Sequence, residues 1–529
     1  MSDDALAANA VPAPRAVSPE PRAGWLLLAA IAVSFMFAFD SVIGSVATTH
    51  MMGDTGATPD AITWNDIAFV FAALMGFVMT ADLVRRRSRR TLLLIATLVL
   101  TLSSVAAVGI SQLWWLILLR GVQGLSSGLL VATVQTLLFE KFSYAVQGLV
   151  QALFAFGVVM TPNSLGPALE GWITDNFDWS WSFLVIVPLA AIAAAAFIAI
   201  PAGPDTDRDR LKIDRVGVVL LSSVLLPLIY ILERGDRYNW FGDSHIYWLS
   251  LLTAGLFGLF CWWQVHNRKR AHLINFSLFR DRAFAFGFAV SFLAGFVLSG
   301  SALLIGALST SVLGYTAMDS GLLLLPAAIT VGAGLLAAGV LIQFFEISPI
   351  KVVPLGLVLF IWAMWMFSHA TPSMAAINLL PAVLMRGLGF GILFVGLTVY
   401  TFATLRGHKL AQGVGLFNAG RQMGVLIGIA CLSRWFHVHV AQNYSYLMTN
   451  LSAYNPNFLQ AEHHLTGALS AAISPAEASR QAAATLGQEL MRQTAVLSLD
   501  DCFISVAAVI VCCAPFVIVL NIMLKRFAN

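Results

Sequence analysis

Charged residues are scarce in this chain. Only 11% of its 529 residues are Asp, Glu, Lys or Arg, whereas 59% are hydrophobic. The mean hydropathy of +0.82 excludes a soluble globular protein, because such a fold could not bury so much apolar surface. The net charge is only +3, and the basic residues occur in short runs between apolar segments, which excludes the continuous basic face of a nucleic-acid-binding protein. Most of the chain is therefore expected to lie in lipid.

Cysteines are also few, and metal-ligand patterns are missing. The five cysteines all fall inside apolar runs, where neither a disulfide framework nor a zinc-type spacing is expected. His437 and His439 are two residues apart, a spacing that does not place two side chains face to face on a helix. We therefore predict no metal site and no cofactor. Residues 1–23 lack the charged n-region and cleavage site of a signal peptide, and we predict a disordered cytoplasmic tail.

Apolar stretches of about 20 residues, the length that spans a bilayer, recur along the chain. We predict an all-α membrane protein with fourteen transmembrane helices. The predicted spans cover residues 24–47, 61–82, 91–110, 113–137, 147–172, 180–201, 215–233, 247–265, 284–308, 320–345, 352–369, 377–400, 412–440 and 499–524.

The distribution of basic residues predicts that both termini are cytoplasmic. With the N-terminus inside, only four of the 30 Lys and Arg residues lie in outer loops and four more lie within spans. This asymmetry satisfies the positive-inside rule, and an even number of spans returns the C-terminus to the same side. We therefore predict a multi-pass membrane protein with its basic loops on the cytoplasmic side.

Charged segments divide the predicted spans into two groups. We predict six-helix bundles at 24–201 and 284–529, joined by a linker, 202–283, that carries two extra spans. The stretch 441–498 is predicted to be the one long periplasmic loop, with a short amphipathic helix after Ser474 that could dock a partner.

Ionisable side chains inside spans cost roughly 2.5–3.5 kcal/mol each, so every one is a functional hypothesis. Asp40 in the first span and Arg120 in the fourth both lie about 10 Å below the outer surface, and we predict that they meet as an ion pair. Desolvation offsets much of the attraction, which favours a role in proton switching over a static bridge, although the static bridge stays open. Gln123, one turn beyond Arg120, could donate to the carboxylate or to a substrate.

Further candidates lie in the second half and in the fifth span. Arg386 and Arg421, the latter followed by Gln422, could each bind an anionic group or a helix C-terminus, and both interpretations stay open. Glycine permits close approach of helices, and proline bends them. The residues predicted to have these roles are Gly124, Gly157, Gly166, Pro167 and Gly171.

Three motifs resemble those of the fourteen-helix drug:proton antiporters of the major facilitator superfamily, the EmrB/QacA type. They are Asp40-Ser-Val-Ile43, Arg120-Gly-Val-Gln-Gly124 and Gly166-Pro-Ala-Leu-Glu-Gly171. The resemblance runs nearly end to end. It implies export of amphipathic toxic compounds across the bacterial inner membrane by alternating access, driven by the proton motive force. It also implies that Asp40 is the proton site and Arg120 its partner. It also implies a periplasmic membrane-fusion adaptor and an outer-membrane channel as partners, with 441–498 as the contact.

The chain departs from the family pattern at several positions. Glu170 stands where a glycine is expected, and it could either project into water or act as a cation contact or second proton site. Segment 81–90 lacks the usual glycines and has Arg85 in place of an acid, and Ser45 replaces the usual asparagine. The substrate is therefore expected to be unusual. An exporter of an endogenous metabolite or siderophore is the second hypothesis, and a non-transporting sensor or scaffold is the third. No nucleophile and base are paired as an enzyme would require.

Overall fold

The computed structural model describes residues 23–200, 214–266, 273–372, 374–449, 456–470 and 473–526, and this part of the chain is helical with no strand. The predicted cytoplasmic tail, apart from Ala23, and the charged segments at 201–213 and 267–272 lie outside the described residues.

The first half contains eight α-helices in chain order. A 3₁₀ segment, Trp179–Val185, leads into the last of them. The helices are α1 (Ala23–Asp40), α2 (Thr48–Thr55), α3 (Pro59–Arg86), α4 (Arg89–Ala107), α5 (Leu113–Lys141), α6 (Gln147–Met160), α7 (Gly166–Asn176) and α8 (Ile186–Ala199).

Two inserted helices and seven further helices follow. The inserted pair is α9 (Arg215–Arg234) and α10 (Ser244–His266). The second half contains α11 (Arg282–Ala307), α12 (Ala317–Gln343), α13 (Pro349–Phe367), α14 (Ala376–Phe402), α15 (Gly407–Met448), α16 (Pro456–Leu469) and α17 (Pro475–Arg526).

Polar side chains begin several of these helices. The Thr58 hydroxyl accepts a hydrogen bond from the Ala61 N–H, directly before a proline at the first helical position of α3. The Asp281 carboxylate caps α11, and Thr316 with Asp319 forms a capping box at the start of α12. Each cap satisfies backbone N–H groups that have no partner within the helix. Such residues therefore mark where a span begins.

Thirteen of the described helices are long and apolar enough to cross a membrane. The remaining predicted span is the fifth, in which α6 and α7 are separated by a π-helical turn at Thr161–Leu165. The turn begins with Thr161-Pro162, and a proline inside a helix removes one hydrogen-bond donor. This irregular turn lies between Gly157 and Gly166, inside the segment in which the sequence predicts that the backbone bends.

The two halves pack against each other along α6 and α12, whose contacts continue into the π-helical turn, and they also meet near one surface of the membrane-spanning region. We call the surface at which α5 ends and α6 begins the arginine side, because the Arg-rich loop between α3 and α4 lies there. The opposite surface is called the far side. The Asn418 side-chain amide on α15 donates a hydrogen bond of 2.7 Å to Gln135 on α5. The rings of Phe139 and Phe402 pack with centroids 4.9 Å apart. A side chain at Gly415 would collide with the backbone of α3. The arginine side is thus closed by contacts between the halves.

The inserted pair contacts both halves. Helix α9 packs against α3 and α15, and the rings of Trp64 and Tyr230 lie 5.4 Å apart. On the far side, the loop after α9 places Asp236 where it accepts a hydrogen bond of 3.1 Å from Ser433 on α15. The inserted helices therefore bridge the far-side ends of α3 and α15.

The segment predicted as a long loop, 441–498, is mostly helical. Helix α15 continues to Met448, α16 lies within the segment, and α17 runs without interruption from Pro475 into the last span. Helix α15 has 42 residues, which corresponds to about 63 Å and is twice the thickness of a bilayer core of about 30 Å. The prediction of a short amphipathic helix followed by a separate last span is therefore wrong. Hydropathy falls where α17 leaves the lipid, but the helix itself continues.

Candidate functional site

The first span breaks directly after Asp40. Helix α1 ends at this residue, and the chain turns through 41–47 before α2 begins. Gly44 in the turn has a φ of +93°, a conformation that L residues rarely adopt. The sequence prediction extended the helix to residue 47 and placed Asp40 two turns inside it. That prediction is wrong, and Asp40 instead lies at a helix C-terminus.

Asp40 and Arg120 form a buried ion pair. The Arg120 Nη1 atom lies 3.0 Å from Asp40 Oδ1 and 2.9 Å from the Asp40 main-chain oxygen. Both residues are fully buried. The arginine therefore neutralises the carboxylate and also binds the C-terminal end of α1, where a cation is favoured by the helix dipole.

Much of the hydrogen-bonding capacity of this pair is unused. Asp40 Oδ2 and the Nε and Nη2 atoms of Arg120 are buried without a hydrogen-bond partner among the described residues. The guanidinium carbon lies 4.3 Å from the centroid of the Phe69 ring, so one face of the cation contacts an aromatic ring. Buried charges with unsatisfied atoms are costly. The pair is consequently poorly suited to a purely stabilising role.

Gln123 lies beside the pair but contacts the arginine and not the acid. Its Oε1 atom accepts a hydrogen bond of 3.3 Å from Arg120 Nη1, and its Nε2 atom donates to the Ser104 hydroxyl at 3.4 Å. The predicted hydrogen bond from Gln123 to the carboxylate is therefore not formed in this conformation, and donation to a substrate stays a prediction. The Gln123 amide instead orients the guanidinium and links α5 to α4.

Two glycines allow the helices around the pair to approach closely. A Cβ atom on Gly124 would lie 2.2 Å from the main-chain oxygen of Phe69 on α3. A Cβ atom on Gly157 would lie 2.0 Å from the hydroxyl of Ser34 on α1. Neither position accepts a side chain without movement of the backbone. These contacts hold α3 against α5 and α6 against α1 around the Asp40–Arg120 pair.

The remaining small residues of the fifth span lie against the break in the first. A Cβ atom on Gly166 would lie 2.6 Å from the side chain of Val42. At Gly171 the nearest atom, on Val46, is 3.8 Å away, an ordinary contact. Pro167 follows the π-helical turn, and because the backbone before it is already helical, its missing N–H leaves this span one hydrogen bond short. Close packing is thus required at Gly166 and not at Gly171.

Glu170 is buried and binds the break in the first span. Its side chain is fully buried and accepts hydrogen bonds from the N–H groups of Gly44, Val46 and Ala47 and from the Ser45 hydroxyl. The sequence analysis left a water-exposed glutamate as one of two possibilities. The burial excludes it in this conformation.

The arginines of the second half have neutral partners. Arg386 donates from Nε to the Ser301 hydroxyl at 3.0 Å and from Nη2 to the main-chain oxygen of Leu298 at 2.8 Å. Arg421 is mostly buried, with Nη2 3.5 Å from Asn418 Oδ1. Within the described part of the chain neither guanidinium has a carboxylate within 4 Å. Gln422, next to Arg421, is half-buried.

The sequence model of the Major Facilitator Superfamily matches residues 28–429. The chain belongs to the major facilitator superfamily. The predicted resemblance to its EmrB-type members is also confirmed. The chain is 26% identical over 490 residues to the multidrug export protein EmrB of Haemophilus influenzae, covering 92% of this chain and 94% of that protein. It is 26% identical over 444 residues to the fatty acid resistance protein FarB of Neisseria gonorrhoeae, covering 84% and 86%.

Solved structures of the superfamily have the same fold. The human organic anion transporter MFSD10 matches with a TM-score of 0.54 at 13% identity, over 78% of this chain and 93% of that one. The proton:xylose symporter XylE matches with a TM-score of 0.54 at 12% identity, over 81% and 90%. The predicted architecture of two bundles with two inserted helices is confirmed as a major facilitator fold, and the chain is a multi-pass membrane protein.

One acidic residue near the pair, Asp66, and a second one near Asp66, Glu233, were not predicted as site residues. Asp66 on α3 is within electrostatic range of Arg120, and Glu233 at the end of α9 is within range of Asp66. Asp66 lies inside the predicted span 61–82, so the rule that selected Asp40 could also have selected it. The far-side ion pairs of Asp60 with Arg234 and Arg237 were missed as well. No spacing in the sequence indicates these pairs, because the partners are more than 170 residues apart.

Proposed function

We propose that this protein is a proton-coupled exporter that moves amphipathic toxic compounds across the bacterial inner membrane by alternating access. The observation that carries the proposal is the buried Asp40–Arg120 pair, at 3.0 Å, within a superfamily transporter whose relatives include multidrug export proteins. Transporters of this superfamily are not enzymes, and their substrates are small molecules.

The pair offers a simple coupling step. When Asp40 binds a proton, its charge is lost and the electrostatic attraction to Arg120 falls, so α1 and α5 are held together less strongly. When the proton leaves, the pair forms again. One proton moving down a potential of 100 mV supplies about 2.3 kcal/mol, whereas a tenfold gradient of a neutral compound costs about 1.4 kcal/mol. A single proton site is therefore energetically sufficient.

The positive-inside rule supports a cytoplasmic arginine side, with both termini cytoplasmic. Under that orientation, the contacts between the halves close the cytoplasmic surface, where Asn418 meets Gln135 and Phe139 meets Phe402. The conformation would then be one that is closed toward the cytoplasm. Transport requires the opposite state, in which these contacts separate.

The far-side helical extension supports an adaptor contact. Helices α15 and α17 extend beyond the length that a bilayer needs, and α16 packs against α17. Under the proposed orientation these helices enter the periplasm. A membrane-fusion adaptor that leads to an outer-membrane channel would contact this ordered surface.

The test is proton movement in proteoliposomes that contain the purified protein and an internal pH dye. A panel of amphipathic anions, cations and neutral compounds is added without a membrane potential. We expect some compounds to change the internal pH of liposomes that contain the wild-type protein. The same compounds should leave the internal pH of empty liposomes unchanged. Substrate transport without any proton movement would overturn the proposed coupling, and the absence of transport across the panel would overturn the proposed substrate class.

A further inference from the structure

Four hydrogen-bond donors converge on one buried carboxylate at the break in the first span. Glu170 Oε1 accepts from the N–H of Gly44 at 2.6 Å and from that of Ala47 at 3.4 Å. Glu170 Oε2 accepts from the Ser45 hydroxyl at 2.9 Å and from the Val46 N–H at 3.2 Å. Both oxygens of the side chain are thus occupied by a single backbone segment.

This arrangement suits the ionised form of the side chain. A carboxylate only accepts hydrogen bonds, whereas a protonated carboxyl group also carries an O–H donor. The three backbone N–H groups around Glu170 can only donate, so a proton on the carboxyl group could be donated only to the Ser45 hydroxyl. Hydrogen bonds to an ionised acceptor are also stronger than neutral ones. The four donors of the segment 41–47 therefore favour the ionised form of Glu170 in this conformation.

The hydrogen bonds of Glu170 determine where the first helix ends. In a helix that continued past Asp40, the N–H groups of 44–47 would bind main-chain oxygens one turn earlier. Three of these N–H groups bind Glu170 instead, and the φ of Gly44 is incompatible with a right-handed helix. A carboxylate on α7, more than 120 residues away in the chain, thus replaces the missing helical hydrogen bonds.

The end of the first helix in turn determines the geometry of the ion pair. Arg120 Nη1 binds both the Asp40 side chain and the Asp40 main-chain oxygen. That main-chain oxygen is available to the arginine because α1 stops there. If the helix continued, the oxygen would accept from the N–H of residue 44, which now binds Glu170.

We propose that Glu170 is a positioning residue that maintains the break after Asp40 and so sets the geometry of the Asp40–Arg120 pair. The proposal rests on the proposed coupling role of that pair. Glu170 acts through the segment 41–47 and not by carrying a proton itself. Glu170 therefore connects the fifth span to the first through its side chain, a connection that a glycine at this position could not provide.

The test compares Glu170→Gln with Asp175→Asn, an exposed carboxylate on the same helix that makes no contact with the break. The first measurement is hydrogen–deuterium exchange of the amides in 41–47, in full-length protein in nanodiscs. We expect exchange to become about tenfold faster or more in Glu170→Gln, because a glutamine cannot accept all four bonds. We expect no change in Asp175→Asn. Unchanged exchange in Glu170→Gln would overturn the proposal.

The second measurement is the number of protons moved per substrate molecule, which does not depend on how much protein is active. We expect this ratio to fall in Glu170→Gln. An unchanged ratio with faster exchange would overturn the link to Asp40. If wild-type protein moves no protons, the proposed function fails, while the exchange experiment still tests whether Glu170 holds the break.

A milder variant covers the case in which Glu170→Gln does not fold. Ser45→Ala removes one of the four donors and leaves the buried charge and its three backbone partners in place. We expect an increase in exchange at 41–47 of about twofold to fivefold and a smaller fall in the proton ratio. No increase in this folded variant would contradict the proposal.

Discussion

In the first half of the molecule Arg120 contacts a carboxylate, whereas in the second half Arg386 and Arg421 contact neutral oxygens. Arg120 lies 3.0 Å from Asp40. Arg386 instead binds a hydroxyl and a main-chain oxygen, and Arg421 lies near the Asn418 amide. All three arginines are buried to a similar degree. Burial of a cation therefore does not by itself distinguish a switch from a fixed charge.

What distinguishes them is whether a partner can change its charge. A hydroxyl, an amide and a main-chain oxygen keep the same charge at every physiological pH, so the interactions of Arg386 and Arg421 do not respond to protons. Asp40 can bind a proton, and the interaction with Arg120 then loses most of its electrostatic energy. This difference supports the proposed proton coupling through the first half, whereas the second half carries a fixed positive charge.

The largest effect is expected from Asp40→Asn, which removes the titratable group and keeps an oxygen acceptor for Arg120. We expect uphill export to fall to the level of empty vesicles, because a neutral side chain cannot bind and release a proton. Downhill exchange of substrate should persist, since the helices can still move. The measurement is substrate accumulation in inverted vesicles with an imposed pH gradient. Undiminished uphill export at equal expression would refute proton coupling through Asp40.

The pair could be predicted from the sequence because the cost of a charge in lipid makes such residues conspicuous. Asp40 and Arg120 were selected for that reason, and their depths in the membrane matched. The break after Asp40 could not be predicted, since the residues that follow are as apolar as a continuous span. Its cause is Glu170, more than 120 residues later, and no local pattern reports such a contact.

The order of spans was predictable for a similar reason, whereas their ends were not. Hydropathy identifies the apolar part of each helix, and the described helices occur where the apolar runs do. It cannot locate the end of α15 or the beginning of α17, which continue as helices into water. The partners of Arg386 were also unpredictable, because a hydroxyl and a main-chain oxygen carry no signal in the sequence.

A second, slightly smaller effect is expected from Arg120→Lys. The planar guanidinium of Arg120 packs on the Phe69 ring, binds Asp40 through Nη1 and keeps Nε and Nη2 without a partner among the described residues, so that they could bind a substrate. Lysine retains the charge and lacks this planar geometry. We expect less than about one tenth of the wild-type transport rate, only slightly above that of Arg120→Ala. Full activity in the lysine variant would mean that Arg120 serves only as a counter-charge.

A third variant, Arg386→Met, tests the second half. The substitution removes two hydrogen bonds to neutral oxygens and a buried charge, and it leaves no unpaired carboxylate behind. We expect stability to change by about 1–3 kcal/mol or less, with an unchanged number of protons per substrate molecule. The measurements are thermal unfolding in detergent and the proteoliposome assay. A lower proton ratio in this variant would remove the proposed difference between the halves.

The smallest effect is expected on the far side, where two arginines share one carboxylate. Asp60 pairs with Arg234, whose side chain is 4% exposed, and with Arg237, whose side chain is 53% exposed. An exposed ion pair contributes roughly 0–1 kcal/mol, because water screens it and two side chains must be ordered. We therefore expect Arg237→Ala to leave thermal stability and transport within this range of wild type. Arg234→Ala should cost more, about 1–3 kcal/mol, since its partly buried hydrogen bond has no replacement by water. Thermal unfolding of the two variants, measured side by side, gives this difference. Equal losses of stability would show that burial of the Arg234 side chain does not strengthen the contact between the inserted helices and the far-side end of α3.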